Sequence, residues 1–226
     1  MSRIIFEDEY VLVRPSFEEV ELHKHSFLHI FFLGNENSCD ELYIVGSNTY
    51  HTMPSLDRSR LILMIDPTTR LADHLKECVL KDDASLTIRY QNPLCLSDDM
   101  SETALNVKKW LTDNGYDHRN GHDEADERIV KLIKEIREYK HFEEKIKNIA
   151  DEYHLSESRL SHSFRQCAGV SLKGYLSLKQ TEYAYRLILD GMSITMASME
   201  AGFSSPSHLA AKCKNEMGIS ISDVIR

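Results

Sequence analysis

The C-terminal half of the chain repeats itself, and that repeat leaves few folds open. Leu155-Ser156 is followed by Leu160, Phe164 and Gly169-Val170-Ser171, and Phe203-Ser204 by Leu209, Cys213 and Gly218-Ile219-Ser220. From Leu160 and Leu209 onward the offset is 49 residues, whereas ahead of the turn, as in Ile149-Ala150 against Ala197-Ser198, it is 48. One residue is therefore added at the start of the second unit's later helix. Each unit reads as short helix, tight turn, longer helix. A small residue (Ala150, Ser198) lets the two helices approach. The turn holds His154 in the first copy and Gly202 in the second; a left-handed backbone suits glycine and is open to histidine at some cost. Ser156 is the expected N-cap of the first later helix, and Ser205-Pro206 the cap and first position of the second. Two copies are too few for a solenoid. A plain helical bundle also uses small residues and caps, but two copies in register favour a pair of helix-turn-helix units.

Between the units, Leu172, Leu176, Tyr183 and Leu187 form a stripe, widened by Ala184 and Ile188. The spacing predicts one continuous helix over 172–189, about 27 Å long at the usual rise. A turn of DNA spans about 34 Å, so a helix of this length suits two reading helices in successive major grooves. Ahead of the first unit, Ile129, Leu132, Ile133 and Ile136 fall on one face of a further helix.

The N-terminal half reads differently. Ile4 to Val13, Leu28 to Leu33, Leu42 to Val45, Arg60 to Ile65 and Leu86 to Tyr90 are short runs of strand-forming residues separated by turn signals. They predict a small antiparallel barrel or sandwich, interrupted by a helix near Leu71 to Val79. Ser101 to Thr112 has helical spacing at Ala104, Val107, Trp110 and Leu111. The polar stretch that follows is the linker. The expected class is α+β: a β-rich regulatory and dimerisation domain over 1–113, a linker over 114–127 and an all-α domain over 128–226.

Charge divides at the same place. Residues 1–127 carry 12 Lys+Arg against 24 Asp+Glu, and residues 128–226 carry 15 against 12. Only the back half has a balance that suits nucleic acid. No apolar run approaches the roughly 18 residues of a membrane helix, and an early acid argues against a secretory signal. Five cysteines (39, 78, 95, 167, 213) without a C-x-x-C pair point to reduced thiols and a cytoplasmic location.

Ile149-Ala150, Ser156, Leu160, Phe164, Gly169-Val170-Ser171, Tyr175-Leu176, Ala184, Leu187, Ile194, Gly202-Phe203-Ser204, Ser207, Leu209, Lys214 and Gly218-Ile219-Ser220 together resemble the AraC/XylS family of bacterial transcription regulators. The stretch Ser204-Ser205-Pro206-Ser207-His208 further resembles the branch that activates type III secretion genes in enteric pathogens, a virulence role. The resemblance implies a seven-helix DNA-binding domain with two reading helices. By position the first presents Ser158, Ser161, His162 and Arg165. The second presents Ser205, Pro206, Ser207, His208, Ala210 and Ala211, with Lys212 and Lys214 as phosphate anchors. Arg165 has the reach for a guanine edge or a phosphate, and His162 for a base acceptor. The second helix is poor in direct readers. The sequence departs from the family's habit at Gln180, where arginine is common, at Leu209 and Cys213, where aromatics are common, and at Ile221 in place of proline. The second unit is therefore expected to pack and bind less tightly than the first.

Leu22 to Gly34 resembles the start of the cupin-like sensor domain of that family, which in some members binds a small effector and is followed by a dimer-forming helix pair. Ser101 to Thr112 is then either a dimer helix or a helix packed on its own sheet. His23, His25 and His29 lie at strand spacings that share a face, with His51 or a carboxylate available to complete a metal site. No acid sits at the metal-cupin spacing, so no metal and no cofactor is assigned and the histidines read as surface or core. No phosphate loop, nucleophile elbow or HExxH is present, so the chain is not expected to be an enzyme.

The expected function is sequence-specific binding of double-stranded DNA and regulation of transcription, most simply activation. The resemblance implies RNA polymerase as a partner, and leaves open a small-molecule effector, a chaperone-like protein co-regulator and a homodimer. The rival readings are a protein-interaction or sensor module with little DNA binding, and a metal-dependent cupin enzyme.

Overall fold

A computed structural model describes residues 3–15, 22–54, 59–116, 126–217 and 220–221. The chain forms two compact units, 1–121 and 122–226. The expected linker falls largely on 117–125, outside the described residues.

The N-terminal unit is a six-stranded antiparallel sheet in the order β1-β2-β5-β3-β4-β6, with β1 Ile4–Phe6, β2 Tyr10–Val13, β3 Leu28–Gly34, β4 Ser38–Val45, β5 Ser59–Ile65 and β6 Ser85–Cys95. The predicted run Ile4 to Val13 is two strands, not one. The acidic Glu7-Asp8-Glu9 makes the turn, and Glu7 N–H donates to the Tyr10 carbonyl at 2.9 Å. The strands predicted at 42–45 and 86–90 are longer than expected, because the β4–β6 pairing resumes beyond an irregularity between Cys39 and Glu41. Pro93 sits within that irregularity on an edge strand, where its missing N–H removes no ladder bond.

The sheet does not close into the expected barrel. Among the described residues, β1 and β6 remain the two edges. Helix α2 (Met100–Asp113) packs on both and buries Met100, Thr103, Ala104, Val107, Trp110 and Leu111 in the core of its own unit. Trp110 Nε1 donates to the Asn92 carbonyl at 2.9 Å. Arg14 bonds the carbonyls of Ser97 and Asp98. Of the two readings of this helix, Ala104, Val107, Trp110 and Leu111 serve the one in which it packs on its own sheet. The helix expected near Leu71 to Val79 is α1 (Arg70–His74), capped by Thr69 and continued by a π-helical turn over Leu75–Leu80.

Alternation along β3 sends Leu28, Ile30 and Phe32 to the face that α1 and α2 cover. His29 and Phe31 point to the other face, which is also buried.

Among the described residues the regular elements of the second unit are helices: α3 Glu127–Arg137, α4 Ile146–Glu152, α5 Glu157–Ala168, α6 Leu172–Leu189, α7 Ile194–Glu200 and α8 Pro206–Met217. Ile129, Leu132, Ile133 and Ile136 are all buried, as their spacing requires. The stripe on α6 proves too narrow. Tyr175, Leu178, Thr181 and Tyr185 are buried as well, while Tyr183 and Leu187 are only half-buried. A helix enclosed on most sides has no single apolar face for a periodicity to reveal. Two charges are buried on it. Glu182 accepts from Lys179 Nζ at 2.7 Å, Tyr139 OH at 2.9 Å and Arg186 Nε at 3.2 Å, so its desolvation is offset by three partners.

Candidate nucleic-acid interface

The two repeat units fold alike down to their turns. His154 has φ +53° and Gly202 φ +75° at equivalent positions. The backbone bonds match one for one: Leu155 N–H donates to the Ala150 carbonyl at 2.9 Å, and Phe203 N–H to the Ser198 carbonyl at 2.8 Å. Ala150 and Ser198 are both buried at the helix crossing.

The offset changes inside the turn. Ser156 Oγ accepts from Arg159 N–H at 3.2 Å, whereas Ser205 Oγ accepts from His208 N–H at 3.1 Å. The cap positions are thus 49 apart while the turn positions are 48 apart. Ser204, ahead of the cap, is the added residue, so the extra residue lies in the turn and the two later helices keep equal length, 12 residues each. Gly169, at φ +69°, ends α5 in the left-handed conformation, and Ser171 caps α6 through Gly174 N–H.

On α5, Ser158, Ser161, His162 and Arg165 lie at i, i+3, i+4 and i+7, and all four are exposed. Leu160, Phe164 and Ala168 form the buried side of the same helix. Gln166, next to Arg165, is also exposed and widens the stripe by one hydrogen-bonding side chain. Helical position alone identifies it, although the family pattern does not.

On α8 the stripe carries different chemistry. Ser207, Ala210, Ala211 and Lys214 are exposed at the equivalent spacing, with Pro206 at the helix start. Lys214 is the exposed cation among them. Lys212 is not a free phosphate anchor. It is only half-exposed, and its Nζ donates to Ser177 Oγ on α6 at 2.9 Å and to Glu216 Oε1 at 3.3 Å. His208 is exposed, but its Nδ1 is tied to Ser204 Oγ at 3.1 Å and its ring stands edge-on to Phe203. Ser205 is spent on the cap. Three of the residues expected to meet DNA therefore hold the second unit together.

The two turns are anchored to the rest of the domain by unlike means. Tyr153, in the first turn, donates its hydroxyl to Glu135 Oε2 on α3, which also bonds His141 Nε2 at 3.0 Å. The bonds from Tyr153 and His141 hold the Glu135 carboxyl down at about 2. Burial works to lower the His141 value, but the hydrogen bonds its ring donates to Glu135 and Glu144 prevail and raise it. In the second turn, Gln180 Nε2 donates to the Ala201 carbonyl at 2.7 Å, a neutral tie from α6. That bond is the physical use of the glutamine standing where the family favours arginine. A cavity of about 550 Å³ in the same unit is lined by Glu138, Glu143, Glu144 and Glu200, together with Tyr139, Phe142 and Tyr183. Its charge has the sign that repels phosphate.

Residues 149–226 match the family model of a helix-turn-helix domain. No curated protein matches the chain at a significant level. Among solved structures, an apo variant of ToxT from Vibrio cholerae strain SCE256 superposes with a TM-score of 0.56 at 14% identity, covering 95% of this chain and 96% of that one. ToxT from Vibrio cholerae O395 bound to (E)-4-(8-methylnaphthalen-1-yl)but-3-enoic acid superposes with a TM-score of 0.51 at 14% identity, covering 94% and 96%. Wild-type ToxT with a bound unsaturated fatty acid, from strain SCE256, gives 0.50 at 13% identity, covering 94% and 91%. The likeness spans both units and is one of fold. With its duplicated turn, cap and reading-helix geometry, this chain carries an AraC-type helix-turn-helix domain, the DNA-binding domain of transcription regulators.

Proposed function

We propose that the chain is a sequence-specific activator of transcription that lays α5 and α8 in successive major grooves on one face of a duplex. The observation that carries this reading is the exposed stripe Ser158, Ser161, His162 and Arg165, borne by a unit whose twin follows 49 residues later. Arg165 contacts a guanine edge through its paired N–H donors, and His162 donates to a base acceptor. Ser158 and Ser161 add weaker polar contacts. On α8, Ala210 and Ala211 offer methyl contacts, Ser207 a hydroxyl, and Lys214 a phosphate contact that adds affinity without sequence information. Met196 and Met199 on α7 are exposed by 55% and 66%, an apolar patch suited to a protein partner such as RNA polymerase.

The N-terminal unit, with its acidic excess, is the regulatory part. A small-molecule effector suits it, since a structure of the same fold holds an unsaturated fatty acid. The test is binding of the full chain to a duplex selected from a random pool. Arg165→Ala is expected to weaken binding at least about fivefold, the lower value of one well-formed bidentate base contact. Unchanged affinity would reject DNA reading by α5 and favour a protein-interaction module.

A further inference from the structure

Four histidines of the N-terminal unit come together beside β3, on the sheet face away from α1 and α2. The ring centroids of His23 and His51 are 4.5 Å apart, those of His25 and His29 4.6 Å, and those of His29 and His51 4.7 Å. His23, His25 and His51 each offer a ring nitrogen, and these atoms all lie within 4.8 Å of one another. We propose that His23, His25 and His51 form a binding site for a divalent transition-metal ion, with zinc the ion to test first.

The backbone builds the cluster before any ion arrives. His23 and His51 face each other in an antiparallel bridge with two bonds, 3.1 and 2.9 Å. Asn48 N–H donates to the His25 carbonyl at 2.8 Å and holds the intervening loop. His51 Nδ1 lies 2.9 Å from the Thr49 carbonyl. A carbonyl only accepts, so Nδ1 carries the proton and Nε2 keeps its lone pair, the usual arrangement behind a metal-bound histidine.

That Nε2 atom is buried with no hydrogen-bond partner among the described residues, as are both ring nitrogens of His25 and Nδ1 of His29. His25, His29 and His51 are each at least nine-tenths buried. A buried polar atom left without a partner is destabilising. A bound ion would give a partner to two of these atoms, His51 Nε2 and one ring nitrogen of His25.

The donor set selects the ion. Three neutral imidazoles suit zinc, copper, nickel or iron and do not suit calcium or magnesium, which want oxygen. Zinc–nitrogen bonds of about 2.0–2.1 Å put tetrahedral ligand nitrogens about 3.3 Å apart, so side chains whose ring nitrogens lie within 4.8 Å of one another close in on the ion by rotation of their rings. His23 is half-buried and gives the site a solvent side. His29 stands in ring contact with His25 and His51, behind the three ligands. The sequence offers His51 as a completing ligand but leaves these histidines as surface or core because no acid sits at the metal-cupin spacing; the fold brings His51, 22 residues beyond His29, into the cluster.

The proposal does not depend on DNA binding. Its test is calorimetric titration of Zn²⁺ into the full chain after chelator treatment, with Co²⁺ absorption as a report on geometry. One ion per chain is expected, with cobalt bands of tetrahedral intensity. His23→Gln and His51→Gln should each weaken binding at least tenfold. His141→Gln, in the cluster His141, Glu144 and Glu152 of the other unit, should leave it unchanged. His23→Gln alters a half-exposed side chain, so circular dichroism can verify its fold if His51→Gln fails to fold. No binding, or binding that a folded His23→Gln leaves intact, would overturn the site; so would loss of binding with His141→Gln.

Discussion

The two helix-turn-helix units differ far more in surface than in backbone. Their turns share left-handed backbone at His154 and Gly202 and matching bonds to Ala150 and Ser198, and differ by the one added residue, Ser204. Their reading helices are equally long and equally capped. Yet α5 presents Arg165 and His162, while α8 presents two alanines and a lysine, and draws Lys212 and His208 into its own packing. The duplication preserved what builds the motif and released what the motif says. We take the first unit to read sequence and the second to grip the backbone.

The largest expected effect separates the two surfaces directly. Arg165→Ala should cost about 1–3 kcal/mol of specific binding, roughly five- to 150-fold in Kd, whereas Ser207→Ala should cost less than about threefold. Fluorescence anisotropy on a selected duplex measures both. Equal losses would erase the distinction.

Next come the turns. Gly202→Ala forces a Cβ into left-handed backbone, 3.0 Å from Glu143 Oε1 and 3.2 Å from its Cγ. A loss of about 1–2 kcal/mol is expected. His154→Gly relieves the same conformation and should gain up to about 1 kcal/mol, less what glycine's freer unfolded chain takes back. Urea unfolding of the full chain checks both signs.

A smaller effect distinguishes the two lysines. Lys214→Ala should lower the slope of log Kobs against log salt by about one. Lys212→Ala should leave the slope unchanged, since that ammonium is already engaged by Ser177 and Glu216.

The smallest effect is local and depends on pH. The Glu135 carboxyl, at about 2, strengthens the first turn above its ordinary value near 4.5, and that support is lost as pH falls toward 2. The raised His141 contributes support that is full below about 6.5 and lost as pH climbs through its folded value. Amide exchange, corrected for its intrinsic pH dependence, should show Tyr153 to Leu155 best protected between these limits. Ala201 to Phe203, held by the neutral Gln180, should show no such maximum.

Much of this was legible in the sequence where the physics is local. The 48-to-49 slip foretold an added residue, and the structure places it at Ser204. His154 and Gly202 announced a positive φ. The caps at Ser156 and Ser205 followed from residue type, and the stripe on α5 from the family resemblance, position by position. What failed depends on residues far apart in the chain. The closed barrel required β1 to pair with β6, and nothing in either strand reveals that α2 occupies both edges. Lys212 looked like any surface lysine until α6 supplied Ser177. The cluster at His23, His25, His29 and His51 needed the bridge between His23 and His51, which no strand periodicity records.

The most direct test of unequal units is selection of duplexes by the full chain from a random pool, followed by hydroxyl-radical footprinting on the winners. We expect one sharply specified half-site, with backbone protection repeated about 10 base pairs away over sequence that is scarcely constrained. Two half-sites of equal information would contradict the division of labour, and protection of a single groove would contradict the placement of both helices on DNA.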